Sequence, residues 1–127
     1  MGITGNLREK LLAAVDKSPY CGKTLVFGEG AAHPTLMMIG EAPGEQEALQ
    51  GQPFVGKAGK NLDGVLELLG MERQEISVSN VVKIRPTARG ASGRVRNRAP
   101  SKEEIALFLP FLMKEIDLVA PRALVTL

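Results

Sequence analysis

Leu36-Met37-Met38-Ile39-Gly40-Glu41-Ala42-Pro43-Gly44-Glu45 passes from an unbroken apolar run into a turn shaped by glycine and proline and lined with carboxylates. A run of this kind reads as a buried strand, and its exit is where open α/β sheets bind their ligands, outside the carboxyl ends of the strands. A second glycine-rich stretch follows closely, Gly51-Gln52-Pro53-Phe54-Val55-Gly56-Lys57-Ala58-Gly59. The two together mark the candidate site.

Working outward, Leu62, Val65, Leu66 and Leu69 recur at helical spacing, which predicts a helix over residues 59–69 with Gly70 as its C-cap. Ile76 to Val82 is β-branched and alternating, a second strand that Pro86 prevents from continuing. Ser101 and Glu104 form a capping-box pattern, opening a helix with Ile105, Phe108, Leu109, Leu112 and Ile116 on one face. After Pro121, Ala123 to Leu127 reads as a third strand, inside which the chain stops. Toward the amino terminus, Leu7, Leu11, Leu12 and Val15 predict a helix over residues 6–16, capped by Asn6 or Thr4, and Thr24 to Phe27 a brief extended segment. Strands alternating with helices imply an α/β fold with a short parallel sheet and right-handed crossovers. Three strands make a thin sheet, so the expectation is one domain over residues 1–127 that is incomplete.

With 127 residues and 44% hydrophobic content the chain suits a single core. It has neither an apolar run long enough for a bilayer nor a secretory-type amino terminus, and a cytoplasmic location is expected. The one cysteine, Cys21, makes no internal disulfide and holds no metal by itself; the one histidine, His33, precedes Pro34 in a loop, so neither a His-based triad nor a zinc site can be assembled. Seven of the sixteen cations lie between positions 83 and 102, where there is no acid: Lys83, Arg85, Arg89, Arg94, Arg96, Arg98 and Lys102. Such a cluster can track phosphates or form a solvated loop, and composition does not separate the two.

The loop after the first strand is neither G-x-G-x-x-G nor a P-loop. Its backbone N–H groups, kept accessible by Gly40, Ala42 and Gly44, can bind a carbonyl or a developing anion. Phe54 is available to stack on a flat ring, Asn80 offers a donor and an acceptor, and Glu41, Glu45 and Glu47 can polarise water.

In Gly40 to Glu45, Gly51 to Gly59, Ser79-Asn80-Val81-Val82-Lys83 with Arg85-Pro86, and Pro100 to Ile105, in that order and spacing, the chain resembles the uracil-DNA glycosylase superfamily, specifically its thermostable family 4 type. The resemblance covers about residues 25–127. It implies a three-layer αβα sandwich and a base-excision repair enzyme that flips uracil out of DNA and hydrolyses its N-glycosidic bond. Carried over, Gly40, Glu41, Ala42, Pro43 and Gly44 would bind uracil and place the water, Phe54 would stack on the base and Asn80 would read its edge. Glu41 and Glu47 are the catalytic candidates, and Lys83, Arg85, Arg89, Arg94, Arg96 and Arg98 the DNA-binding ones.

Two departures follow. Family 4 enzymes hold an iron-sulfur cluster through four cysteines; two of those positions are Ile84 and Phe108 here, and the other two fall near Ala13 and Asp16. No cluster is expected, its structural role passing to packing around Ile84 and Phe108. The family's catalytic histidine loop lies after the third strand, beyond this chain, and His33 stands on the wrong side of that order to replace it. The expectation is a glycosylase whose first 127 residues are inactive alone; the competing class is a non-catalytic glycosylase-like module that binds DNA or protein.

Overall fold

The computed structural model describes residues 5–127. In chain order the elements are α1 (Gly5–Asp16), β1 (Glu29–Gly30), β2 (Leu36–Gly40), α2 (Glu45–Gln50), α3 (Lys57–Leu69), a 3-10 turn (Arg73–Glu75), β3 (Ser77–Asn80), β4 (Thr87–Arg89), β5 (Val95–Asn97), α4 (Lys102–Val119) and β6 (Ala123–Thr126). Four strands form one sheet in the order β1-β3-β2-β6, and β4 pairs with β5 separately. β2 runs parallel to β3 and to β6, as the βαβ pattern requires.

The sheet divides the core into two faces because successive strand residues point to opposite sides. Met38 and Val78 pack with Leu62 and Leu66 of α3 on one face. Met37 and Ile39 pack with Leu112 and Val119 of α4 on the other. Beside that second layer, Leu11 and Val15 of α1 meet Val82, Ile84 and Phe108. The result is the expected αβα sandwich. Gly70 ends α3 with φ 67°, and Ser101 caps α4 by accepting the N–H of Glu104, whose carboxylate returns a bond to the N–H of Ser101. Thr4, one of the two caps considered for α1, lies outside the described residues.

Several expectations need correction. Thr24 to Phe27 forms no strand; its one ladder-like contact is Val26 N–H to the Lys83 carbonyl at 2.7 Å, and the pairing strand is β1, antiparallel to β3. The inward face of α4 is Glu104, Phe108, Leu112, Glu115 and Val119, with Leu109 41% exposed. Periodicity in apolar residues could not find that stripe, because two of its five members are buried glutamates. The arginine-rich segment is an antiparallel hairpin rather than an irregular loop, closed by a turn in which Gly93 takes φ 81° and donates to Gly90. Among the described residues no helix is long and apolar enough to cross a membrane.

Candidate active site

The site is assembled where β2 and β3 end side by side. Gly40 is the last residue of β2 and lies in register with Asn80, the last of β3. A side chain at Gly40 would collide with Asn80 Oδ1 and come within 2.8 Å of Phe54 Cζ. Glycine is required there because two residues distant in sequence close over its Cα. The chain then pairs the loop to the segment after β3, Val81 N–H to the Gly40 carbonyl at 2.9 Å and Val82 N–H to the Glu41 carbonyl at 3.1 Å. Gly40, Phe54 and Asn80, all three site candidates from the sequence, are thus in one place.

Phe54 sits at φ 54°, a left-handed conformation rare for an aromatic residue. It is tolerated because both sides of the residue are held. Its ring packs in the cluster of Met38, Leu62, Leu66, Ile76 and Val78. Gly59, in the first turn of α3, approaches so closely that any Cβ would strike the Phe54 carbonyl. Phe54 is therefore both core and site wall.

Glu47 holds the two glycine-rich stretches together. Its Oε1 accepts the N–H of Gly44 at 2.9 Å, and its Oε2 accepts those of Val55 at 2.9 Å and Gly56 at 2.6 Å. Burial pushes its pKa up, but the N–H groups of Gly56, Val55 and Gly44 outweigh that and leave it below the usual glutamate value. A carboxylate that accepts three backbone N–H groups staples the two stretches together, and it also borders the first cavity described below. Glu41 is exposed and borders a cavity. Of the loop N–H groups, that of Gly44 is committed to Glu47, whereas those of Glu41 and Ala42 make no hydrogen bond among the described residues. Pro43 is buried within the loop.

Two cavities of about 310 and 300 Å³ flank these groups and share Ala42, Phe54, Ala58 and Asn80 as walls. The first extends to Lys57 and Asn97, the second to Glu41 and Asn61. Asn80 is 4% exposed, yet its amide makes no hydrogen bond among the described residues. An amide that opens on a cavity and makes no hydrogen bond of its own is matched to a ligand with its own donor and acceptor. Asn97 was missed from sequence: it lies within the arginine cluster, and only the hairpin carries it to the cavity.

The basic residues divide. Lys83 is 0% exposed and paired with Glu115 at 2.9 Å in the core, which removes it from any DNA-facing surface. Burial drives its pKa below the usual lysine value, with Glu115 opposing. Arg85 bonds Asn97 Oδ1 at 2.6 Å, Arg89 bonds the Gly93 carbonyl at 2.7 Å, and Arg98 bonds both oxygens of Glu104 at 2.7 and 2.8 Å. Arg94 and Arg96 are exposed and unpaired among the described residues.

Four thiolates are needed for a cysteine-held iron-sulfur cluster, and these residues do not fit one. Cys21 is the chain's one cysteine and is exposed. Ile84 and Phe108 lie together in a buried cluster with Leu11 and Val15, while Ala13 and Asp16 are both exposed. Among the described residues no group of three or more His, Cys, Asp or Glu can hold a metal ion.

Residues 27–127 match the sequence profile of the Uracil DNA glycosylase superfamily. The chain is similar to proteins named type-4 uracil-DNA glycosylase from three organisms. With that of Sulfurisphaera tokodaii it is 44% identical over 103 residues, which is 80% of this chain and 43% of the relative. The figures for Saccharolobus solfataricus are 41% over 106 residues, 83% and 45%, and for Pyrobaculum aerophilum 38% over 120 residues, 93% and 57%. The chain thus spans about half the length of the curated relatives it matches. A match that runs through the β2 loop, Phe54, Asn80 and the hairpin, on an αβα sandwich whose strand ends bring them together, has one meaning: this chain belongs to the uracil-DNA glycosylase superfamily.

Proposed function

We propose that the protein is a DNA-repair glycosylase that extrudes uracil from DNA and hydrolyses its N-glycosidic bond. One observation carries the reading. The unpartnered amide of Asn80, the Phe54 ring and Ala42, with its free N–H, border the same pair of cavities. Uracil presents a flat face and an edge of alternating N–H and carbonyl groups, so a ring wall and one amide suffice to hold it. As the glycosidic bond lengthens, the sugar becomes cationic and uracil leaves as an anion. The N–H groups of Glu41 and Ala42 would then stabilise the charge developing on a carbonyl oxygen. Glu41, the carboxylate left free at the cavity, is the candidate for orienting water.

Asn97 carries β5 to the cavity, so the hairpin offers Arg94 and Arg96 to the phosphates of the strand from which the base is drawn. Arg85, Arg89 and Arg98 shape that hairpin through their own bonds. We assign no iron-sulfur cluster to the chain, its place being taken by Ile84, Phe108 and their neighbours; a brown preparation absorbing near ~400 nm would overturn this. The lone thiol suits a reducing compartment, and we assign the protein to the cytoplasm. His33, the one imidazole of the sequence, precedes β2 and so stands at the end of that strand opposite the site.

The test is thermal denaturation of the chain with and without free uracil, followed by release of uracil from a labelled oligonucleotide. A ligand that binds the native state raises the melting temperature. No shift with uracil but tight binding to DNA lacking it would favour a non-catalytic DNA-binding module.

A further inference from the structure

Three acceptors converge on the ammonium of Lys83 below the site: the main-chain oxygen of Asn80 at 2.5 Å, Ser79 Oγ at 2.7 Å and Glu115 Oε1 at 2.9 Å. Ser79 Oγ in turn donates to Glu115 Oε1 at 2.7 Å. Lys83, Ser79 and Glu115 are all 0% exposed. All three N–H donors of the ammonium are used, so its position is fully determined.

Stability is a poor explanation for this arrangement. Desolvating an ammonium and a carboxylate costs so much that apolar residues of similar volume are often as good or better. Here the cost is raised further, because Glu115 Oε2 has no hydrogen-bond partner among the described residues. The surrounding backbone is nonetheless shaped to the group: a Cβ on Gly28 would strike Glu115 Oε2 and lie 2.8 Å from Ser79 Oγ.

What the network holds is Asn80. β3 ends at this residue, and the next N–H groups turn away to the carbonyls of Gly40 and Glu41. The Asn80–Val81 peptide is thus held on both sides, its N–H by the Gly40 carbonyl and its carbonyl by Lys83, reaching back from three residues later. An asparagine amide is joined to its main chain by only two rotatable bonds, so fixing the peptide restricts where the amide can point.

We propose that Lys83, together with Ser79 and Glu115, is a positioning device that clamps the Asn80 peptide and so aims its amide into the cavity. The ligand in question rests on the reading of that cavity as a uracil site; the ordering of the amide does not.

The decisive variant is the 127-residue chain carrying Lys83→Met with Glu115→Leu, an apolar pair that keeps the core filled. Two quantities are measured by NMR: the spread and exchange broadening of the Asn80 side-chain NH2 signals, and uracil affinity relative to cytosine by titration. The expected result is a folded protein whose Asn80 amide signals broaden or multiply. Its uracil affinity falls about tenfold and its preference over cytosine shrinks. A single sharp Asn80 amide, as in the parent chain, overturns the proposal. If the parent chain itself binds no uracil, the cavity reading fails while the Asn80 signals still decide the clamp. Should the double variant not fold, Ser79→Ala removes one acceptor of Lys83 and one donor to Glu115 while leaving the Lys83–Glu115 pair, and is judged by the same signals.

Discussion

Replacing Glu47 by glutamine separates a staple from a catalytic base. The carboxylate accepts three N–H groups, Gly44 on Oε1 and Val55 and Gly56 on Oε2, at 2.9, 2.9 and 2.6 Å. Glutamine keeps one acceptor oxygen and places an NH2 where the other stood. With the oxygen turned to Val55 and Gly56, the NH2 meets the N–H of Gly44, donor against donor; turned the other way, two N–H groups lose their acceptor. The milder arrangement loses one charge-assisted bond and weakens two, a cost of about 2 kcal/mol. For a domain of this size that lowers Tm by about 6–10 °C. The folded pKa of Glu47 lies below its ordinary value of 4.5, so its contribution is complete above pH 4.5 and disappears as pH falls through the folded value. Wild type and E47Q should therefore differ at pH 7 and converge in acid. Melting followed by circular dichroism at pH 7 and in acid measures both. If E47Q melted with wild type at pH 7 while uracil excision fell sharply, Glu47 would be a base and the staple argument would be wrong.

Further expectations concern the pocket, the hairpin and the α4 cap. Asn80→Ala should abolish protection of the fold by uracil while leaving a cooperative melt; an unchanged uracil shift would remove Asn80 from base recognition. Gly40→Ala drives a methyl into Asn80 and Phe54 and should cost about 1–3 kcal/mol by urea unfolding together with uracil binding. The Arg98 guanidinium bonded to Glu104 holds that carboxyl at about 2 against an ordinary 4.5. Its stabilisation should be present above pH 4.5 and vanish toward pH 2, amounting to about 2–3 kcal/mol after allowance for the exposed side of Arg98. A difference between wild type and Glu104→Gln that persisted at pH 2 would contradict this. Changing Arg94 and Arg96 together to Gln should lower the slope of log affinity for DNA against log salt by about 2, read by fluorescence anisotropy.

Local pattern made much of this molecule legible. The apolar run ending at Gly40, the Ser101 and Glu104 capping box, the Gly70 cap and the alternating second strand involve residues a few positions apart. Each folds as it reads because its physics is short-range: helical periodicity, an orphan N–H, a left-handed turn. The resemblance in four ordered blocks joined Gly40, Phe54 and Asn80 before any geometry was known. The hairpin was not legible, since its pairing depends on register between Thr87 and Asn97 and its composition matched a solvated loop equally well.

Charge was where sequence and structure parted. Lys83 counts in the sequence as one more cation of a basic segment, Glu104 as a capping-box residue, and nothing in the pattern marks Glu115 for the interior. In the folded chain all three are buried, because each finds a partner on another element or turn: Lys83 finds Glu115, thirty-two residues away, and Glu104 finds Arg98. Whether a charged side chain faces water or a partner is set by long-range contacts that no window of sequence contains. Glu47 likewise reads from the sequence only as a possible base, and its bonds to Val55 and Gly56 appear when that loop comes round to meet it. The residues and the family were thus in the sequence; which of those residues face a ligand, and which only hold the others in place, was decided by tertiary packing, through the cost of leaving any buried donor or charge unpaired.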